Sequence, residues 1–148
     1  MQLSADVAAA LAFEDVVRLT RRLATAGELS LPAAAVLARL VREGPQRLTD
    51  LAAGERLSQP GTTQLVTRLE RDGLARRTPS PADGRVVLVD VTRAGRDLVE
   101  RRRAERAASL HDLLALLDPE DRDAVHRAVP ALTRLAELAL SAPGGTAP

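Results

Sequence analysis

The segment LSQPGTTQLVTRLERDGLARR, Leu57 to Arg77, holds a helix, its stop and the start of a strand in one short run. Ser58 is a good N-cap, because its hydroxyl can take a backbone N–H that the first helical turn leaves unpaired, and Pro60 just inside needs no N–H of its own. Leu65, Val66 and Leu69 form a narrow apolar stripe suited to a helix buried on one side, and Gly73 supplies the left-handed residue that ends it. Gln59, Gly61, Thr62, Thr63, Gln64, Thr67, Arg68 and Arg71 fall on the other face. Most are short or neutral hydrogen-bonding residues, not the Glu/Lys mixture of an ordinary solvated helix. Small residues let a helix backbone enter a major groove, Gln pairs bidentately with adenine, and Thr meets a thymine methyl or a phosphate. On composition alone, a polar helix surface with no partner fits equally well.

Upstream, Ser30 caps a helix with Pro32 in its first turn, and LPAAAVLARLVREG runs to a Gly44-Pro45 stop. A short helix follows from Leu48 to about Gly54, packed through Leu48, Leu51 and Ala52. Two short helices with a tight connection, the second presenting a polar face, make a helix-turn-helix. Downstream, Leu74 to Thr78 and Val86 to Val91 read as strands, the second rich in β-branched residues. Between them, Pro79 and Pro81 stiffen a loop in which Asp83-Gly84 is a turn pair, so Arg85 sits beside a projecting tip. An arginine there can enter a narrow minor groove, with Asp83 near enough to hold its guanidinium; the alternative is a surface turn with a local ion pair.

The first segment, Val7 to Ala26, is helical and apolar on more than one face: Val7, Leu11, Val17 and Ala24 on one, Phe13, Val16, Leu19 and Leu23 on another. A partner chain would cover both; a helix central to a monomer core is the alternative. Thr92 caps a long helix expected to reach about Leu117, roughly 40 Å at 1.5 Å per residue. Its charged middle, ERRRAER, reads as a solvated face sooner than as a phosphate-binding arm. Asp118-Pro119 restarts a helix that Pro130 should kink without ending the series Val125, Leu132, Leu135, Leu138. SAPGGTAP, residues 141–148, reads as a disordered tail.

The 148 residues fit one domain able to bury about two-thirds of its unfolded surface. A 45% hydrophobic, 28% charged composition is that of a globular protein, with no apolar run of membrane-spanning length. The N-terminus lacks a leading basic segment, so a secretory signal is not expected and the cytoplasm is. A net charge of +1 does not suggest nucleic acid, so a basic footprint must come from placement. With no cysteine, disulfides, thiolate metal sites, cysteine nucleophiles and thiol redox sensing are excluded. Phe13 is the one aromatic, which leaves nothing on which to stack single-stranded bases. His111 and His126 stand on different helices, a poor basis for a metal site. No glycine-rich phosphate loop or Ser-His-carboxylate grouping marks an enzyme, and no cofactor is implied.

With helix-turn-helix, wing and flanking helices in order, the chain resembles the MarR family of bacterial winged-helix transcriptional regulators. The likeness spans nearly the whole length. It is most specific in LSLPAAAVLARLVREG, in LTDLA, in Leu57-Ser58 with Arg68-Leu69-Glu70 and Gly73-Leu74, in Asp83-Gly84-Arg85, and in Val91-Thr92 with Gly95. It implies a mainly α fold with a small β-hairpin wing: a single domain over 1–140, the winged helix-turn-helix lobe at about 31–91 and dimerisation helices at about 5–28 and 92–140. It further implies a homodimer binding a pseudo-palindromic double-stranded operator. Ser58, Gln59, Gly61, Thr62, Thr63, Gln64, Thr67 and Arg68 would lie in the major groove, and Arg85, held by Asp83, in the minor groove. A repressor released by a small organic ligand is the expected mode, with no residues assignable to the ligand. A winged-helix dimer serving as a protein-interaction module is the alternative. Three positions depart from the family pattern: Arg47 in place of a hydroxyl cap, Glu55 in place of an apolar residue, and Gln64 in place of a frequent Arg. The first two predict a short or loosely held third helix.

Overall fold

A computed structural model of the chain describes residues 2–23 and 29–141. It divides into two compact units, Met1–Leu110 and His111–Pro148. The first contains α1 (Gln2–Leu23), α2 (Leu31–Glu43), α3 (Leu48–Gly54), α4 (Gln59–Arg71), β1 (Ala75–Pro79), β2 (Val87–Val91) and most of α5 (Arg93–Leu114); α6 (Pro119–Ser141) lies in the second. The expected extension of the first helix to Ala26 and the tail at 142–148 lie outside the described residues. Ser141, expected in the tail, is the last residue of α6.

Four helices, α2, α4, α5 and α6, begin where a side chain accepts one of their first N–H groups. Ser30 accepts from the Ala33 N–H and Asp118 from the Asp121 N–H at 2.9 Å, while Thr92 accepts from the Gly95 N–H at 3.1 Å. Gly44 and Gly73, with φ of 80° and 73°, make the left-handed exits after α2 and α4. The helix after Thr92 stops at Leu114, three residues short of the expected Leu117, where the Leu116 and Leu117 N–H groups turn to i−3 carbonyls. Asp118 is already committed to capping the next helix, which then runs unbroken through Pro130.

The core of the lobe lies among α2, α3, α4 and the hairpin. Val36, Leu37, Leu40, Leu51, Val66 and Val89 are completely buried, with Leu69, Ala75, Val91 and Val99 around them. At roughly 1.5–3 kcal/mol for each fully buried aliphatic side chain, this cluster is the main force holding these elements together. The strands pair antiparallel, Ala75 opposite Val91 through Pro79 opposite Val87. Gln46 adds a bridge to Val89, donating at 2.9 Å and accepting at 2.7 Å, so the loop after α2 closes the outer edge of β2.

As expected from Arg47, α3 has no side-chain cap and spans only seven residues. Leu51 and Ala52 nevertheless anchor it in the core. The charge at Glu55 is answered by Arg39, which also bonds Glu43 at 2.9 Å.

Candidate nucleic-acid interface

The N-terminus of α4 is built by Ser58, whose Oγ accepts from the Gly61 N–H at 3.2 Å while its carbonyl accepts from the Thr62 N–H at 2.9 Å. A Cβ on Gly61 would stand 2.9 Å from that Oγ, so glycine at 61 protects the cap as well as leaving the helix face flat.

Thr62 corrects the sequence reading. It was expected on the outward face, yet it is completely buried, its hydroxyl donating to the Ser58 carbonyl at 2.9 Å. The reason is helical phase: position 62 lies one turn before Val66 and shares its inward direction. A polar residue in the core is tolerated here because its donor is satisfied within the helix.

The other expected positions, Gln59, Gly61, Thr63, Gln64, Thr67 and Arg68, are exposed, as is Arg71. Thr63, Gln64, Thr67, Arg68 and Arg71 together line one shallow depression. The two exposed threonines spend their hydroxyl protons on the helix: Thr63 donates to Gln59 O at 3.0 Å and Thr67 to Thr63 O at 2.8 Å. What they present outward is a methyl group and oxygen lone pairs.

In the hairpin loop, Asp83 also behaves differently from the expectation. Its carboxylate accepts from the backbone N–H of Arg85 at 3.0 Å, its carbonyl accepts from the Val86 N–H at 2.9 Å, and no ion pair joins it to the Arg85 guanidinium. A short aspartate side chain two residues before an N–H closes a turn more readily than it reaches the end of an arginine. Asp83 therefore shapes the tip, and the Arg85 side chain is exposed with no ion-pair partner among the described residues.

Between helix and hairpin stands a contact that the sequence did not reveal. Glu70 accepts the backbone N–H of Arg77 at 3.0 Å and a bond from its guanidinium, which also reaches Thr67 Oγ1 at 3.5 Å. The available signal was a carboxylate in the last turn of a helix, where the macrodipole disfavours it. Farther from the outward face, Leu29, Leu74, Leu98, Ala94, Asp72, Asp97 and Arg101 surround an open cleft of about 560 Å³.

The family model described as MarR family matches residues 29–87. An HTH-type transcriptional regulator of Mycobacterium tuberculosis is 34% identical over 125 residues, covering 82% of this chain and 87% of that protein. Among solved structures, RV1404 from Mycobacterium tuberculosis is similar with a TM-score of 0.80 and 26% identity, over 90% of this chain and 95% of that one. A MarR family protein from Bacillus stearothermophilus is similar with a TM-score of 0.73 and 22% identity, over 92% and 96%.

Proposed function

We propose, from the premise that the chain belongs to the MarR family of transcriptional regulators and so acts in DNA-binding regulation, that it reads a pseudo-palindromic operator as a cytoplasmic homodimer. The observation that carries this reading is the outward face of α4, where neutral hydrogen-bonding side chains stand in a row beside Arg68 and Arg71. Gln59 and Gln64 offer both donor and acceptor to an adenine edge. Thr63 and Thr67, with their protons committed to the helix, suit a thymine methyl or an exocyclic amino group better than a phosphate, which needs a donor. Ser58 and Gly61 keep the helix start open and low, and Arg85 on its Asp83-closed turn enters the adjoining minor groove. Thr62 supports this face from beneath and touches no base.

The homodimer rests on apolar helix surface left open in each unit: Val7, Leu11, Val16 and Val17 on α1, and Val125, Val129, Leu132, Leu135 and Leu138 on α6. The regulatory mode is repression relieved by a small organic ligand. The cleft among Leu29, Leu74 and Leu98 suits one, since Asp72 at its wall is the C-cap residue of α4. Among the described residues no helix is long and apolar enough to cross a membrane.

Selection of bound sites from random duplex DNA tests the reading. It should enrich a two-fold-symmetric sequence whose half-site centres lie one helical turn, about 10 base pairs, apart. A pool that stays random after repeated rounds would leave a protein-interaction module as the function.

A further inference from the structure

The bond set around Glu70 is unusual in what it connects. Its carboxylate takes both the main-chain N–H and the guanidinium of Arg77, so one side chain of α4 holds the backbone and the side chain of β1 together. Arg77 pairs with Val89 across the hairpin, and Val89 is in turn bonded in both directions to Gln46. Glu70 therefore stands where a further strand would be, closing the free edge of β1 as Gln46 closes that of β2. Beyond Arg77 the hairpin continues through Thr78, Pro79 and Ser80 to the Asp83-Arg85 tip, and the last cross-hairpin bond runs from the Ser80 N–H to Val86 O at 2.7 Å.

The same guanidinium extends to Thr67 Oγ1, on the outward face of α4. Both members of the pair are only about one-third exposed, 30% for Arg77 and 27% for Glu70, so solvent screens them less than a surface pair. The carboxylate sits in the last helical turn, where a negative charge is unfavourable to the helix itself. Its benefit must lie in the cross-element contact.

We infer that Glu70 is a positioning residue that sets the angle between the α4 reading face and the wing, so that the two engage DNA as one unit. This rests on the function proposed above for those two elements. Without the carboxylate, the hairpin keeps its own ladder and its bridge to Gln46 but pivots about its base. Arg85 would then reach the minor groove only in a fraction of orientations, while the contacts made by α4 stay intact.

Two measurements on the whole 148-residue chain test this, one without DNA. The chain has no cysteine, so spin labels can be placed by Thr63→Cys and Ala82→Cys, with labelled chain diluted into unlabelled chain. Pulsed electron resonance should give a narrow distance distribution in the parent and a clearly broadened one after Glu70→Ala. An unchanged distribution overturns the inference whatever the protein does to DNA. The second measurement is a double-mutant cycle on the selected operator. If Arg85→Ala weakens binding about tenfold in the parent, it should weaken binding less than threefold in the Glu70→Ala background, with base preference under α4 unchanged. Equal penalties in both backgrounds overturn the inference. Loss of the Arg85 effect in the parent itself would refute the wing contact, and the distance measurement would still decide the role of Glu70. Should Glu70→Ala fail to fold, Glu70→Gln, which keeps the volume and one acceptor but removes the charge, goes through the same pair of measurements. Broadening and a reduced Arg85 penalty are again expected, and their absence counts against the inference.

Discussion

Arg56, in the turn between α3 and α4, has φ of 52°, the one positive value at a residue other than glycine among those described. For an L residue with a Cβ this left-handed conformation costs roughly 1–2 kcal/mol, part of which glycine returns through its greater freedom in the unfolded chain. Arg56→Gly should therefore stabilise the protein by about 0.5–1 kcal/mol, read as a rise of a few degrees in thermal midpoint. A fall in the midpoint would show that the Arg56 side chain contributes more than its backbone strain costs. The residues proposed to read DNA separate by charge in the same single-residue way. Arg85→Ala should weaken binding to many sequences and reduce the salt slope by about one for each protomer, because one counterion-displacing charge is lost. Gln64→Ala should instead cost about 1–3 kcal/mol at the preferred site, shift preference at one or two base pairs per half-site, and leave the slope unchanged. Titrations across a salt series, on the operator and its single-base variants, distinguish these patterns.

At the scale of elements, α5 is set against the end of α4 by Thr92, which donates to Gly73 O at 2.6 Å while capping its own helix. That closeness requires glycine at 95: a Cβ there would lie 2.1 Å from the Leu74 carbonyl oxygen and 2.8 Å from a Val91 methyl. Backbone on one side and core on the other leave little room to yield, so Gly95→Ala should destabilise by about 1–3 kcal/mol in chemical denaturation. An unaffected denaturation midpoint would mean that α5 can slide away from Leu74. The boundaries of α2 and α4 were legible in the sequence because Ser30, Pro32, Gly44, Ser58, Pro60 and Gly73 act through local chemistry. The direction of single side chains was less so. Thr62 was assigned to the polar face by composition, although helical phase aligns it with Val66, and Asp83 was given the more distant of two nearby partners. The Glu70–Arg77 contact was hidden because it joins two elements whose mutual angle only packing determines.

For the whole molecule, the decisive quantity is the apolar surface that each unit leaves in water. Val7, Leu11, Val16 and Val17 are each about half exposed on α1, and Leu132, Leu135 and Leu138 are exposed on α6 at 44%, 52% and 66%. None of them belongs to the buried cluster of the lobe. Covering several such side chains at roughly 25 cal/mol per Å² gives each chain a strong incentive to associate. If a second copy supplies the cover, folding and association are one equilibrium, and stability must depend on concentration. For a dimer of this size the thermal midpoint should rise by about 2 °C for every tenfold increase in protein, because mass action adds about 1.4 kcal/mol against an unfolding entropy that scales with chain length. Leu132→Asp places a charge on the α6 surface and should convert a species of twice the 15.7 kDa chain mass into monomer or aggregate. Sedimentation equilibrium with a thermal scan at several concentrations provides the check. A midpoint independent of concentration, together with a 15.7 kDa species, would mean that the open helix faces are tolerated by a monomer. A palindromic operator would then have to be read by two chains arriving separately.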